Sequence, residues 1–373
     1  MKLNCRAYIE KRCQSCSLIE LDYATGLEQK IEGLKSLFDE SLFEPALAMD
    51  RLAGYRNKAK LVVGGDLSHP VLGIPSLKNS QMVTTLLDCP IHHPKLNEIV
   101  LCIQSKIFEF KLTPYSIAER RGEFKYLIIN IAKKTGEISV RFGMRSLESF
   151  ERVKKLTQLL QKNFSEIKVI SFEVQPKHAA VFEGETYYLT DEKYIQHDFD
   201  EFKLLGSTTN FFQINSELAH TLYQKVYQRY QDEDFKLGVD LFCGVGGFAQ
   251  VMSRFCDKVI GIEINENAIA CAKESAAENI KFFCDDAFKF PEYNKNPIDL
   301  LVVNPPRRGL GNKFSELICK MAPKFLVYSS CNPQTLRADA DILERDYELE
   351  SIIPVDMFAL TEHLEVLSFW RRK

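Results

Sequence analysis

The sequence predicts an α/β protein: a Rossmann-like, doubly wound parallel sheet with an antiparallel final strand, joined to an α+β module and a cysteine-bearing amino-terminal region. Three observations carry this reading. From Phe211 onward, short apolar strands alternate with helical segments. From about residue 50 to 205, strand-like runs predominate. A glycine-rich turn, Gly244-Val245-Gly246-Gly247-Phe248-Ala249, follows the first strand of the alternating half, and Glu263 closes the second. The expected division is 1–49, 50–205 and 206–373.

The first region holds cysteines and then a stretch from Gly26 to Phe43 in which Leu27, Ile31, Leu34, Leu37 and Phe38 keep helical spacing. In the second, Lys60 to Val63, Tyr126 to Ile131 and Ile138 to Phe142 read as strands, with Lys134-Thr135-Gly136-Glu137 as a hairpin signal. One helix, Leu147 to Leu160, interrupts them. In the third, Leu237 to Phe242, Val259 to Glu263, Ile298 to Val303 and Lys324 to Tyr328 are successive strands, with a helix from Ala268 to Ala277. The last pair, Ser351 to Asp356 and Glu365 to Trp370, is joined closely enough to be antiparallel.

At 373 residues the chain exceeds a typical single core, and a hydrophobic content of 45% is enough to fill several. No stretch has the length and apolarity of a membrane span, and the start lacks the apolar core of a signal peptide, so the expected location is cytoplasmic, with no membrane contact and no obligate protein partner. The formal charge of −3 does not announce a nucleic-acid binder. Local charge differs: Arg51, Arg56, Lys58 and Lys60 surround Tyr55 and Asn57, and Arg120, Arg121 and Lys125 adjoin Phe124 and Tyr126. Basic residues interleaved with aromatics suit phosphate contact and base stacking. A solvated strand face would look the same.

Chemistry concentrates at strand ends. Ser329-Ser330-Cys331 closes an apolar strand, and the carboxyl edge of such a sheet is where these folds bind ligands. Cys331 is therefore a candidate nucleophile, against the alternative of a small buried hydrophobe. The glycine turn lets backbone approach a cofactor, and Glu263 can accept hydrogen bonds from both hydroxyls of a ribose. Adenosine in NAD and in S-adenosylmethionine meets that demand equally. Cys5, Cys13, Cys16 and the distant Cys89 form a separate set suited to redox chemistry, zinc or an iron–sulfur cluster, and spacing does not choose among them.

The ordered series Tyr55-Arg56-Asn57-Lys58-Ala59-Lys60, Phe211-Phe212-Gln213-Ile214-Asn215, Asp240-Leu241-Phe242-Cys243-Gly244, Asn304-Pro305-Pro306-Arg307, Ser329-Ser330-Cys331-Asn332-Pro333 and His363-Leu364-Glu365 resembles the RNA uridine-C5 methyltransferase family over essentially the whole chain. The resemblance implies a class I methyltransferase sheet with S-adenosylmethionine held by Gln213, Phe242, Gly244, Glu263 and Asn304. Many relatives carry aspartate where this chain has Asn304, which leaves the local electrostatics open. Asp285 and Asp286 read either as adenine contacts or as loop carboxylates. The resemblance also implies an RNA-binding role for the α+β module, with Arg56, Lys58 and Lys60 there and Arg307 near the target nucleotide.

Carbon-5 of uracil is a poor nucleophile until a thiolate adds to carbon-6 and converts the ring to an enolate. Cys331 suits that step, and the resemblance makes Glu365 the base that removes the carbon-5 proton. It also implies a 4Fe-4S cluster on Cys5, Cys13, Cys16 and Cys89, and a uridine of 23S rRNA as substrate, since the transfer-RNA enzymes generally lack the cysteines. With Cys5 so near the start, the added small β-barrel domain of the larger 23S enzymes is not expected. Three alternatives stay open: a transfer-RNA enzyme, an amino-directed nucleic-acid methyltransferase or an NAD-dependent oxidoreductase. A fourth, a noncatalytic iron–sulfur RNA-binding protein, belongs to a different class.

Overall fold

The computed structural model describes residues 1–77, 82–178 and 184–373. It opens with two helices, α1 (Arg6–Ile9) and α2 (Tyr23–Lys35). Tyr23, Gly26, Lys30 and Leu34 make the buried face of α2. The expected continuation to Phe43 does not form. Asp39 Oδ1 accepts hydrogen bonds from the backbone N–H and hydroxyl of Ser41, and this local turn competes with helical geometry. Leu34 and Phe38 nevertheless enter the core of the carboxyl-terminal sheet, so α2 packs on that domain.

The α+β module is a seven-stranded sheet. Its strands are β1 (Lys58–Gly65), β2 (Pro70–Pro75), β3 (Val83–Thr85), β4 (Phe124–Ile131), β5 (Ile138–Met144), β6 (Ile167–Val174) and β7 (Glu185–Tyr188). They lie in the order β3-β2-β1-β4-β5-β6-β7, all pairs antiparallel except β5 with β6. Two helices serve this module where the sequence reading gave one. Before β4 comes α3 (Pro94–Lys106), with Leu96, Ile99, Val100 and Ile103 buried along one stripe and a proline in its first turn. Between β5 and β6, α4 (Phe150–Asn163) makes the crossover, preceded by a 3-10 turn at Leu147–Ser149. A small hairpin, β8 (Ile195–Asp198) and β9 (Lys203–Gly206), leads out of the module.

The rest alternates as expected: α5 (Ser216–Tyr230), β10 (Phe235–Leu241), α6 (Gly247–Met252), β11 (Cys256–Glu263), α7 (Glu266–Glu274), β12 (Ile280–Cys284), α8 (Phe290–Tyr293), β13 (Leu300–Val303), α9 (Asn312–Met321), β14 (Phe325–Ser330), α10 (Pro333–Leu343), β15 (Tyr347–Val355) and β16 (Glu365–Arg372). Their order is β12-β11-β10-β13-β14-β16-β15, parallel except that β16 runs against both neighbours. The order reverses between β10 and β13, the switch point at which open α/β sheets bind ligands. Val239, Leu241, Leu301, Val303, Leu326, Tyr328 and Trp370 are buried in one core and the intervening Leu300, Val302, Val327 and Phe369 in another, which explains the near-continuous apolar runs of these strands.

Asp339 on α10 organises the loop that follows β13. Its buried carboxylate accepts from Leu310 N at 2.8 Å, Gly311 N at 2.9 Å and the Tyr328 hydroxyl at 2.7 Å. Asp339→Ala strands these donors and should lower the unfolding free energy by about 3 kcal/mol. Urea titration of the purified protein checks this.

Candidate active site

The site residues collect on one rim because strand register puts them there. Leu241 pairs with Ile262 on one side and with Val303 on the other. The next residues, Phe242, Glu263 and Asn304, therefore stand at the carboxyl ends of three adjacent strands. On the other side of β13, β14 ends at Ser330, which pairs with Val366 of the antiparallel β16. One rung further, the same register sets Cys331 opposite Glu365.

Those two side chains occupy different environments. Cys331 is half-buried and opens onto a cavity of about 430 Å³ that it shares with Gln29, Arg307, Asn332, Gln334 and His363. Burial, then the nearby Glu365, raises the Cys331 thiol above its ordinary pKa; the Arg307 guanidinium, in hydrogen-bonding reach of the sulfur, opposes them. Glu365 is 1% exposed. Burial pushes its carboxyl up to about 7, moderated by the hydrogen bond it accepts at 2.7 Å from the Ser329 hydroxyl. A carboxyl of that strength is half-ionised near neutral pH, where a general base works best.

The rim on the other side of β13 is shaped largely by backbone. Phe242 and Gly244 adopt left-handed φ values of 65° and 54°, and Gly246, which precedes α6, has φ of 89°. A Cβ at Gly246 would lie 2.5 Å from the Phe282 ring, whereas one at Gly244 would meet nothing within 4 Å, so open space adjoins the turn. The Glu263 carboxylate accepts from Gly244 N at 3.3 Å and Asn265 N at 2.9 Å, which fixes it beside that space. Asp240, fully buried, accepts from Ala249 N through one oxygen and leaves the other without a hydrogen-bond partner. Half-buried Asn304 ends β13, and half-buried Gln213 lies in the loop before α5. This polar edge fits an adenosine-bearing cofactor. The Asp285 carboxylate is ion-paired with Lys289 at 3.3 Å, and Asp286 caps the turn at Phe288, so both carry local structural work.

Cys5, Cys13, Cys16 and Cys89 line a second cavity, of about 170 Å³, together with Arg56, Lys60 and His92. All four are free thiols. Burial, and then the thiols of Cys89, Cys13 and Cys5, push Cys16 up to about 12, against the opposing charge of Arg56. The basic and aromatic clusters differ from expectation. Tyr55, Phe124 and Tyr126 are buried in the core, so these rings do not offer faces to bases. Lys125 turns inward and donates to the Gln175 and Lys177 carbonyls. Half-buried Lys58 donates to the Asn210 carbonyl at 3.2 Å, and burial with Arg141, Lys60 and Arg56 around it pushes its ammonium down to about 8. Along β1 alternation puts Lys58 and Lys60 on one face and buries Ala59 and Leu61 on the other. Lys60 and Arg307 are exposed.

Comparison with known proteins decides among the alternatives. The model of the tRNA (uracil-5-)-methyltransferase family matches residues 138–373. The chain belongs to the RNA uracil-C5 methyltransferase family. Two curated relatives, from Yersinia pestis strain Pestoides F and from Yersinia pseudotuberculosis serotype O:1b, are each 35% identical over 98% of both chains, and both are named 23S rRNA (uracil(747)-C(5))-methyltransferase. Among solved structures, that of the Pyrococcus abyssi tRNA (uracil-54, C5)-methyltransferase with S-adenosyl-L-homocysteine aligns with a TM-score of 0.80 at 24% identity, covering 96% of this chain and 85% of that one. That likeness shows a shared fold.

In this uracil-C5 methyltransferase three residues near the site escaped the sequence reading. Ser329 was seen only as part of a tripeptide, yet its hydroxyl is the polar partner of Glu365. Gln29 and Lys30 reach the cavity from α2, more than 300 positions from Cys331 in sequence, and no local motif signals them. Ser329 favours the ionised carboxylate, so Ser329→Ala should raise the Glu365 pKa further. The acid limb of methyl-transfer activity should then move to higher pH, read from initial rates between pH 6 and 9.

Proposed function

We propose that this S-adenosylmethionine-dependent RNA uracil-C5 methyltransferase acts on 23S rRNA at the uridine equivalent to uracil 747, with Cys331 as nucleophile and Glu365 as base. The observation that carries the roles is the pairing of an accessible thiol with a buried carboxyl of pKa about 7 across the end of β14 and β16. The target is the one for which relatives that match the chain nearly end to end are named. A ribosomal RNA substrate agrees with a cytoplasmic location, and among the described residues no helix is long and apolar enough to cross a membrane.

In this reading Cys331 adds through sulfur to carbon-6, making a C–S bond and an enolate. When bound, S-adenosylmethionine supplies an electrophilic methyl group, held beside Gln213, Phe242, Gly244, Glu263 and Asn304. Carbon-5 gains the methyl, Glu365 takes the carbon-5 proton, and elimination breaks the C–S bond to return the thiolate. Arg307 favours the thiolate form of Cys331. Both working groups act deprotonated, so each step should accelerate as pH rises, resolution through about 7 and attack at higher pH. Cys331→Ser should abolish methylation and any covalent RNA adduct. Glu365→Gln should still attack and methylate, then accumulate a methylated adduct on denaturing gels. Mapping 5-methyluridine in 23S rRNA and transfer-RNA transcripts after treatment tests the substrate; modification of transfer RNA alone contradicts it.

We also propose that Cys5, Cys13, Cys16 and Cys89 hold a 4Fe-4S cluster. Four free thiols around one cavity, with Arg56 and Lys60 to offset thiolate charge, support it. Among the described residues no three His, Cys, Asp or Glu side chains are arranged to hold a metal ion. Anaerobically purified protein should contain iron and sulfide, and Cys89→Ser should lose both. Stoichiometric zinc without sulfide contradicts the assignment. The exposed cations Lys60 and Arg307 suit phosphate contact and the half-buried Arg56 and Lys58 do so less, so Lys60→Glu should weaken RNA binding by about tenfold at low salt and less at high salt.

A further inference from the structure

We propose that Lys30, on α2, is a positioning residue that holds Glu365 in place against Cys331. The proposal rests on the reading of Glu365 as base. The connection between β15 and β16, residues 356–364, delivers Glu365 to the start of its strand. One ammonium ties it down along its length. Lys30 Nζ donates to Asp356 Oδ1 at 2.6 Å, to the Phe358 carbonyl at 3.2 Å and to the His363 carbonyl at 3.2 Å. These use the three donors of a lysine, and the last acceptor lies two residues before Glu365.

The tether is dry. The Lys30 and Asp356 side chains are 3% and 0% exposed, and the second Asp356 oxygen has no hydrogen-bond partner. Removing the cation would leave a buried carboxylate uncompensated, a state the connection relieves by shifting toward solvent. Three further bonds bring the same stretch to the amino-terminal half, Asp356 N to the Leu47 carbonyl at 2.9 Å, Leu18 N to the Leu360 carbonyl at 3.0 Å and the Tyr55 hydroxyl to the Ala359 carbonyl at 3.3 Å. None touches its last turn, where His363 lines the Cys331 cavity beside Lys30. The residues that match the family model begin at 138, so this support comes from outside them. A base displaced by an ångström loses much of its effect on proton transfer, whereas thiol attack, which begins from the other strand, does not depend on it.

The test uses full-length Lys30→Met, Lys30→Arg and Glu365→Gln with uridine RNA and with 5-fluorouridine RNA. In the fluorinated substrate the leaving proton is replaced by fluorine, so adduct formation reports attack and methyl transfer without the base. Lys30→Met should form the fluorinated adduct at the wild-type rate, keep kcat/KM for RNA and for S-adenosylmethionine, and lose about a hundredfold in kcat, with KM falling alongside as a methylated uridine adduct accumulates. Lys30→Arg, which keeps the charge, should recover most of the loss. Should Lys30→Met fail to fold, Asp356→Asn serves in its place and should show the same split. Normal kcat in the folded variant, or loss of the fluorinated adduct along with turnover, overturns the tether while Glu365→Gln still stalls. Normal turnover by Glu365→Gln overturns the base assignment and the tether with it.

Discussion

The antiparallel pairing of β16 with β14 is the constraint on which the site depends. A parallel strand would bring its carboxyl end to the rim and carry its first residue to the opposite edge of the sheet. Because β16 runs the other way, its first residue, Glu365, arrives at the rim where β14 delivers Cys331. Hydrogen bonds from Phe325 with Arg371 through Ser330 with Val366 fix that meeting. A slip of one residue would turn Glu365 to the other face of the sheet and break the pair.

Burial raises both groups above their ordinary pKa and leaves the carboxyl the stronger acid of the two. Glu365 is deep, bonded to Ser329, and poised near neutral pH. Cys331 is nearer the cavity, with a cation beside it. In the proposed mechanism Cys331, open to the cavity, is the nucleophile, and Glu365 is the base, with the dry surroundings that raise its affinity for a proton. Across β13, backbone rather than side-chain charge shapes the cofactor edge: left-handed turns at Phe242, Gly244 and Gly246 open a space that Glu263 borders.

The alternating half was legible in the sequence because its central strands β10, β13 and β14 are buried along nearly their whole length and read as short apolar runs. Strands ending at Glu263, Val303 and near Cys331 were read within a few residues, and the antiparallel last pair followed from its short connection. The helix α3 was not among the expected elements, although Pro94 in its first turn and the stripe of Leu96, Ile99, Val100 and Ile103 are its signals in the sequence. Basic residues interleaved with aromatics read as suited to phosphate contact and base stacking, whereas β1 sends alternate residues into the core and every residue of β4 is buried. The contribution of α2 to the cavity was not legible at all. Its side chains meet Cys331 through tertiary packing across nearly the whole chain, and no local spacing encodes that.

The central claim is that Cys331 bonds to the substrate ring. Mass spectrometry of peptides from the wild-type protein, after reaction with 5-fluorouridine RNA and S-adenosylmethionine and digestion of the RNA, tests it at the level of a single atom. The peptide that contains Cys331 should carry the mass of a methylated 5-fluorouridine nucleotide. An adduct on another of the eleven cysteines, or none under conditions that methylate uridine RNA, would contradict it.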